Sequence, residues 1–295
     1  MKTKCCYCKT FDNAVEIIPA NFDSEAFSTE VFSARRVPDR RFFRWVSCKT
    51  CGQYRSDPVE ELDLETLYKD STFDYSDESE SLAKTYFKLI QESLGDVSGK
   101  SILEIGGGNG FVLDYALRNG SGRILGVEPS VRAVESAGSK IKPFMIVSMF
   151  TRGVVTSEDF DCAAMFHVMD HLPSPLETLV DIYDALKPGG VVVIAVHNVD
   201  SWSAKLFKSR SPIFDVEHTY LFSRKTGENL LLKAGFTNFR ARSYWNVYSV
   251  KYLFQLLPIP RGLKLRIIHG HIGKILSHIS LPVPLGNIVL MGTKE

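Results

Sequence analysis

The sequence predicts an α/β protein with a Rossmann-like parallel sheet, preceded by a small cysteine-bearing lobe. A strand, a glycine-rich turn and a helix follow one another directly over residues 101–118. From that point onward, apolar runs of strand length alternate with helical segments, which is the order that a parallel sheet requires. The cysteines are concentrated elsewhere, since five of the six lie within the first 51 residues.

The glycine-rich turn over residues 106–110 predicts a binding site for a nucleotide-like ligand. An apolar strand over residues 101–105 precedes the turn, and a helix over residues 111–118 follows it. Glycines permit a tight turn that a ligand can approach closely, and the N-terminus of the helix offers free N–H groups. The alternative is a glycine turn without a ligand inside an ordinary α/β domain.

The spacing of the glycines selects among cofactors. A dinucleotide-binding pattern needs a glycine at position 111 or 113, where the chain has Phe111 and Leu113. The chain instead carries an E-x-G-x-G-x-G pattern. Its members are Glu104, Gly106, Gly108 and Gly110. This pattern resembles the first motif of class I methyltransferases that use S-adenosyl-L-methionine (SAM).

Two further segments extend this resemblance. Residues 123–128 predict the second strand, and its last residue, Glu128, is placed to accept two hydrogen bonds from a ribose diol. Many family members carry an acid after the third strand, where it meets the adenine amino group. Here Ser148 and Met149 stand at that place, so we expect adenine recognition by apolar contact and backbone groups. The resemblance implies the seven-stranded methyltransferase fold over residues 101–295, with SAM as the cofactor.

Three histidines are candidate catalytic residues. The predicted fourth strand ends in His167, and with Asp170 and His171 it resembles the H-V-L-E-H segment of many small-molecule methyltransferases, Asp170 replacing the usual Glu. Glu217 and His218 begin an E-H-x-x-x-F-S pattern that resembles the acceptor-side segment of methyltransferases acting on sugars. Because imidazole suits proton transfer near neutral pH, we expect the catalytic base to be His218, His167 or His171. His167 is also a candidate cofactor contact, and a structural role is the alternative for each histidine.

The N-terminal cysteines predict a metal site. Cys5 and Cys8 form one Cys-x-x-Cys pair, and Cys48 and Cys51 form a second. Four thiolates suit tetrahedral Zn²⁺, and a site with four protein ligands has no open position, so the ion is expected to be structural. Unrelated buried thiols or a redox pair are the alternatives. With these pairs, the chain resembles bacterial small-molecule methyltransferases with a zinc-binding lobe, including sugar C-methyltransferases.

An arginine-rich segment separates the two cysteine pairs. The arginines alternate with aromatic residues toward its end. They are Arg35, Arg36, Arg40, Arg41 and Arg44, beside Phe42, Phe43 and Trp45. Such a segment can grip phosphates and stack on bases, and the arginines could bind a diphosphate. The alternative is a strand over residues 42–47 with a solvated arginine face.

The predicted organisation has three parts. Residues 1–55 form the zinc-binding lobe, residues 56–100 form an acidic linker and a cofactor-covering helix, and residues 101–295 form the methyltransferase domain. An insertion over residues 247–284 is basic and amphipathic, which suggests contact with a membrane surface or a lipid substrate. A helical lid on the acceptor pocket or an oligomer interface is the favoured alternative, because prolines divide the segment.

Charge and composition limit the function. The net charge of +1 gives no global field to hold a polyanion, which makes a nucleic-acid partner unexpected. With no membrane-length apolar run and no secretory signal pattern, we expect a cytoplasmic protein. The predicted function is methyl transfer to a small hydroxylated acceptor, a sugar or nucleotide-linked sugar. An RNA methyltransferase gripping its substrate with the cysteine lobe, a methyltransferase for a lipid-linked substrate and a non-catalytic subunit of the same fold are the alternatives.

Overall fold

The structure is a computed structural model, and it describes residues 3–21, 41–57, 79–257, 259 and 261–295. The strands are β1 Ala14–Ile18, β2 Arg44–Cys48, β3 Tyr54–Asp57, β4 Ser101–Ile105, β5 Arg123–Glu128, β6 Met145–Val147, β7 Phe160–Phe166, β8 Leu186–His197, β9 Tyr220–Leu221, β10 Thr237–Ser249 and β11 Ser280–Thr293. The α-helices are α1 Ser79–Leu94, α2 Phe111–Arg118, α3 Val131–Glu135, α4 Pro175–Ala185, α5 Trp202–Phe207, α6 Arg224–Lys233, α7 Val250–Leu256, α8 Arg261–Ile268 and α9 His271–Ser277.

The central sheet has seven strands in the order β10-β11-β8-β7-β4-β5-β6. The five neighbouring strands β8, β7, β4, β5 and β6 pair in parallel. Strand β11 pairs with β8 in the antiparallel direction, and β10 pairs with β11 at the edge of the sheet. The glycine turn follows β4, the strand at the centre of the parallel part. The α/β prediction, with an antiparallel pair closing the sheet, is confirmed.

Apolar layers cover both faces of this sheet. Side chains alternate across β4, so that Leu103 and Ile105 join one core while Ile102 joins the other. Helices α4 and α6 pack on the first face and helices α1 and α2 on the second. Both faces are therefore dry, and the functional groups emerge where the parallel strands end.

Several boundaries differ from the sequence prediction. The helix expected over residues 131–140 ends at Glu135, and the strand expected over residues 143–149 is limited to Met145–Val147. Pro143 lies in a 3₁₀ turn directly before that strand and lacks the N–H that a ladder needs. Strands β10 and β11 also continue into the predicted 247–284 insertion, where Ser249 pairs with Ser280. The insertion is thereby reduced to three short helices.

The N-terminal lobe shares a sheet with the catalytic part of the chain. Its four strands have the order β1-β2-β3-β9, and β9 lies within the E-H-x-x-x-F-S pattern that begins at Glu217. Strand β3 runs past residue 55, the predicted end of the lobe, and β2 begins at Arg44 instead of residue 42. Among the described helices, none has the length and apolarity needed to cross a bilayer.

Candidate active site

The glycine turn has a backbone that side chains would disturb. Gly106, Gly108 and Gly110 adopt φ values of 69°, 56° and 75°, in the left-handed region that favours glycine. A Cβ on Gly106 would overlap the Val168 side chain, and one on Gly110 would overlap Ile141. The turn is therefore packed directly against the residues that follow β7, which include the first histidine motif.

Two buried carboxylates support the turn. Glu128 accepts hydrogen bonds from the backbone N–H groups of Gly108 and Ser130, each at 2.9 Å. Each of its oxygens has a second lone pair, so the expected ribose contact is compatible with these bonds. Glu104 is 3% exposed, and its Oε2 has no hydrogen-bond partner among the described residues. Burial and the neighbouring Glu128 raise the pKa of Glu104 well above its usual range.

These features fit SAM. A carboxylate oxygen without a partner beneath the turn matches the amino group of the cofactor, and the glycine backbone leaves room for close approach. Ser148 and Met149 follow β6 at the same sheet edge and are half-buried. The Ser148 N–H donates to the carbonyl of Glu128 at 3.1 Å, which holds this segment next to the ribose position. Their adenine contact stays a prediction.

Four histidines form one cluster at the carboxyl ends of β7 and β8. The ring centroids of His167 and His197 are 4.6 Å apart, those of His171 and His218 are 4.7 Å apart, and those of His197 and His218 are 5.0 Å apart. His167 has φ 57°, an unusual backbone for a non-glycine residue. The three candidate histidines are thus brought together. His197 is an addition, because the sequence motifs do not single it out; it is the last residue of β8.

Asp170 lies at the centre of this cluster. It is fully buried, and neither carboxylate oxygen has a hydrogen-bond partner among the described residues. The Nε2 atoms of His197 and His218 lie 3.9 and 4.0 Å from Oδ2, and that of His171 lies 3.8 Å from Oδ1. The sequence motif marks Asp170 only as a replacement for Glu, whereas the fold makes it the residue that three imidazoles face.

Hydrogen bonds fix the orientation of three of these rings. Nδ1 of His218 lies 2.7 Å from the carbonyl oxygen of Ile213, and Nδ1 of His171 lies 3.1 Å from that of Glu217. Nδ1 of His197 lies 3.1 Å from Oδ1 of Asn287. These partners are oxygen acceptors, so each Nδ1 carries the proton and each Nε2 carries a lone pair. Burial, together with a neighbouring imidazole, lowers the pKa of His218 to about 3 and that of His171 to about 4.

His167 is held by a residue of β10 instead of by a backbone carbonyl. Its Nε2 lies 3.0 Å from the hydroxyl of Tyr244, a buried residue of β10 that the sequence patterns do not single out. Burial raises the pKa of Tyr244 well above its usual range, so the phenol stays protonated. Tyr86 of α1 stacks on Phe166 with ring centroids 4.3 Å apart and lies 6.3 Å from the His167 ring. Helix α1 therefore borders the site, as a cofactor-covering helix would.

The cysteine pairs converge in the lobe. The sulfur atoms of Cys5, Cys8, Cys48 and Cys51 all lie within 4.8 Å of one another, with Cys5 and Cys51 3.5 Å apart and Cys8 and Cys48 3.8 Å apart. Tetrahedral zinc with Zn–S bonds of ~2.3 Å separates its sulfurs by ~3.8 Å. The cluster therefore fits a zinc ion. Cys6 lies instead in the apolar core.

The arginine-rich segment is only partly described. Arg35, Arg36 and Arg40 lie outside the described residues. Arg44 pairs with Asp57 and Glu16 across the lobe sheet, and Phe42, Phe43 and Trp45 are buried. In its described part this segment is a structural strand, as the alternative interpretation predicted.

The lobe packs against the acceptor-side segment. Strand β3 pairs with β9, and the Ser56 N–H donates to the carbonyl of Thr219 at 2.9 Å. Gln53 Nε2 donates to the carbonyl of Leu221 at 2.8 Å. The lobe thus fixes the backbone on the C-terminal side of His218. The helices of the 247–284 insertion expose Leu263, Ile272 and Ile275.

Comparisons with known proteins agree with this geometry. A family model described as a methyltransferase domain matches residues 79–241. The chain is 26% identical over 119 residues to the tRNA U34 carboxymethyltransferase of Desulfotalea psychrophila, covering 38% of the chain and 37% of the relative. It is also 26% identical over 152 residues to the tRNA U34 carboxymethyltransferase of Ectopseudomonas mendocina, covering 49% and 47%. Each match spans less than half of the relative's own length.

Solved structures share the fold at low identity. The protein BH2331 from Bacillus halodurans C-125 has a TM-score of 0.51 and 15% identity, covering 72% of this chain and 98% of that one. The YcgJ protein from Bacillus subtilis has a TM-score of 0.50 and 15% identity, again with 72% and 98% coverage. The family match spans more than half of the chain and includes both the glycine turn and the histidine cluster. The chain therefore belongs to the methyltransferase domain family.

Proposed function

We propose that this methyltransferase transfers the methyl group of SAM to a hydroxyl of a small acceptor, a sugar or a nucleotide-linked sugar. The observation that carries the proposal is the cluster of His167, His171, His197 and His218 around Asp170, next to the glycine turn. An alcohol must lose a proton when it is methylated. A group of neighbouring imidazoles next to the glycine turn suits that step, because a neutral imidazole can accept a proton.

The transfer is a single displacement. The acceptor oxygen attacks the methyl carbon, the S–CH₃ bond breaks and S-adenosylhomocysteine leaves, while the hydroxyl proton passes to an imidazole Nε2. Alignment of donor and acceptor supplies most of the rate, and a positioned base adds roughly 10²–10⁴-fold. His218 is the first candidate base, with His171 and His167 as the others. The lowered pKa of His218 keeps its ring unprotonated before the reaction, so the imidazolium must be stabilised as it forms. Asp170 would stabilise the imidazolium that forms.

The enclosure of the site supports a small acceptor. His218 is 7% exposed and Asp170 is fully buried, so the cluster offers little surface to a large acceptor. The lobe lies directly against the segment that carries His218, and we propose that its four cysteines hold a structural Zn²⁺ that keeps it folded. The nucleotide-linked form of the acceptor rests on the arginines at positions 35–41, which are described only at Arg41.

An RNA acceptor is the second candidate. The relatives named tRNA U34 carboxymethyltransferase favour it, although they match less than half of their own length. A base flipped out of its stack could also enter a recess. The net charge of +1 and the structural role of Arg44 speak against a basic surface for the backbone in the described part of the chain.

Labelled SAM separates the candidates. The purified protein is incubated with labelled SAM and either a nucleotide-sugar pool, total RNA or a lipid extract from the source cells. We expect label in the nucleotide-sugar pool only. In that assay His218→Ala should lower turnover at least tenfold with unchanged SAM affinity, while the exposed control His278→Ala retains full activity. Label confined to RNA or lipid would contradict the acceptor assignment.

A further inference from the structure

The carboxylate of Asp170 is surrounded by imidazole nitrogens that do not donate hydrogen bonds to it. Three imidazole Nε2 atoms lie 3.8 to 4.0 Å from its two oxygens. Because each Nδ1 donates to an oxygen, each of these Nε2 atoms presents a lone pair. No donor among the described residues hydrogen-bonds either carboxylate oxygen. Negative oxygens thus face lone pairs inside a buried site, which calls for a positive charge between them.

We propose that Asp170, His171, His197 and His218, here termed the Asp170 cluster, bind one divalent transition-metal ion. This inference keeps the acceptor of the proposed function but replaces its imidazole base with an ion, and it rests on that function only for the role of the ion. The binding itself follows from the positions of the donor atoms. It concerns a site distinct from the cysteines of the lobe.

The donor set fits such an ion. Imidazole nitrogen with carboxylate oxygen suits zinc, cobalt, nickel and iron, whereas magnesium and calcium prefer oxygen alone. The ligand atoms of Asp170, His171 and His218 all lie within 4.8 Å of one another. Ligands at ~2.1 Å from a tetrahedral ion lie ~3.4 Å apart. The distances of 3.8 to 4.0 Å between Asp170 and the three imidazoles are therefore only slightly longer than a bound ion requires.

The outer hydrogen bonds are those of metal-binding histidines. A histidine that binds a metal usually donates its second ring N–H to a carbonyl or carboxylate, which fixes the tautomer and the ring orientation. His171 and His218 do so to backbone carbonyls, and His197 does so to a side-chain amide oxygen. His167, Asp170 and His197 form a second, overlapping group at metal-ligand spacing. Asp170 is common to both groups and is therefore the decisive residue.

The role of the ion follows from its open position. An ion held by three or four protein ligands can accept the hydroxyl of the acceptor, and coordination lowers the pKa of that hydroxyl. The proton then leaves to water, and the histidines act as ligands instead of taking the proton themselves. The ion and the glycine turn would together align the acceptor oxygen with the methyl carbon.

Cobalt titration of the full-length protein tests the proposal. Metal-stripped wild type, Asp170→Asn, His218→Gln and the control His278→Ala are titrated with Co²⁺, and bound ions per chain are counted. Cobalt on the cysteines shows sulfur-to-metal charge transfer in its absorption, whereas cobalt on nitrogen and oxygen does not. We expect wild type and His278→Ala to bind one more Co²⁺ than either cluster variant, with equal charge-transfer absorption in all four.

SAM binding measured by calorimetry shows whether each variant is folded, and His218→Gln carries the comparison if Asp170→Asn does not fold. Equal numbers of bound Co²⁺ in the wild type and in a folded cluster variant would overturn the proposed metal site. The labelled-SAM assay tests the acceptor independently of the cobalt titration. If Co²⁺ binding depends on the Asp170 cluster but no sugar is methylated, the ion is supported and the acceptor assignment is wrong. If a hydroxyl is methylated but no such ion binds, an imidazole remains the base.

Discussion

Trp45 lies edge-on against Phe214, with ring centroids 5.5 Å apart and ring planes inclined by 71°. The first residue belongs to the cysteine lobe and the second to the segment that carries His218. Both are buried in one apolar cluster with Leu221 of β9. The lobe therefore packs against the segment that carries His218, and its folding should influence the position of that histidine.

Removal of this ring contact should affect the acceptor side of the site more than the cofactor side. Trp45→Ala is expected to lower stability by about 3–5 kcal/mol and to lower turnover while SAM affinity stays within about twofold. The exposed Trp245→Ala on β10 serves as the control, and neither property should change in it. Denaturant unfolding and calorimetry measure the two effects, and a parallel loss of SAM affinity would contradict this division of the site.

The glycine turn allows a matched test of close packing. Gly106→Ala would combine a positive φ with overlap of Val168, whereas Gly120→Ala has a positive φ but no atom within 4 Å of the added methyl. Backbone strain alone costs about 1 kcal/mol, and overlap at the turn should in addition weaken SAM binding at least tenfold. Equal SAM affinities for the two variants would show that the turn does not contact the cofactor.

Glu128 should contribute to cofactor binding through its carboxylate. Glu128→Ala removes the acceptor of two backbone N–H groups and the proposed partner of the ribose, so SAM affinity is expected to fall by about 1.5–3 kcal/mol, the range for hydrogen bonds to a charged group. The exposed Glu135→Ala on the next helix is the control. Selective binding of NAD by the wild type, with no response to SAM, would disprove the cofactor assignment.

The cysteine cluster should hold one zinc ion. Elemental analysis of Cys48→Ser, purified without chelator, is expected to show one equivalent less than the wild type, and the lobe should lose its structure because its core is small. Cys6→Ala should keep the full metal content, since Cys6 lies outside the cluster. A folded Cys48→Ser protein with unchanged metal content would refute the zinc site.

Asp161 should make the stability of the folded state depend on pH in the acid range. Burial opposes its ionisation, but hydrogen bonds from Lys187, Ser101 and Lys100 outweigh burial and lower its pKa below the usual range. A lowered carboxyl pKa stabilises the folded state above the unfolded pKa near ~3.9, and this contribution is lost as the pH falls through the folded pKa.

Asp161→Asn should therefore cost about 1–2 kcal/mol, a value reduced because both lysines are partly exposed. Urea unfolding at several pH values should show the same difference from pH 7 down to about pH 5 and a shrinking one below about pH 4. Asp200→Asn, which alters an exposed pair with Lys205, should change stability little at any pH. A difference that grows as the pH falls would contradict the assignment.

The sequence by itself determined the glycine turn and the two carboxylates that we expect to hold the cofactor. The glycines at 106, 108 and 110 and the acids at 104 and 128 are local requirements, since a left-handed turn and a carboxylate at a strand end are specified by residues close together in the chain. The same holds for the two cysteine pairs, whose spacing already places two sulfurs on one side of each turn. The alternation of strands and helices likewise depends on local periodicity.

Only the tertiary structure decided how the acceptor half is built. Asp170 becomes the centre of a cluster because residues from three different segments meet above the ends of β7 and β8. His197 and Tyr244 enter the site only through sheet order. The lobe is joined to the catalytic part by pairing of β3 with β9, residues far apart in the chain. Such contacts depend on which strands become neighbours, and a local pattern does not encode that choice.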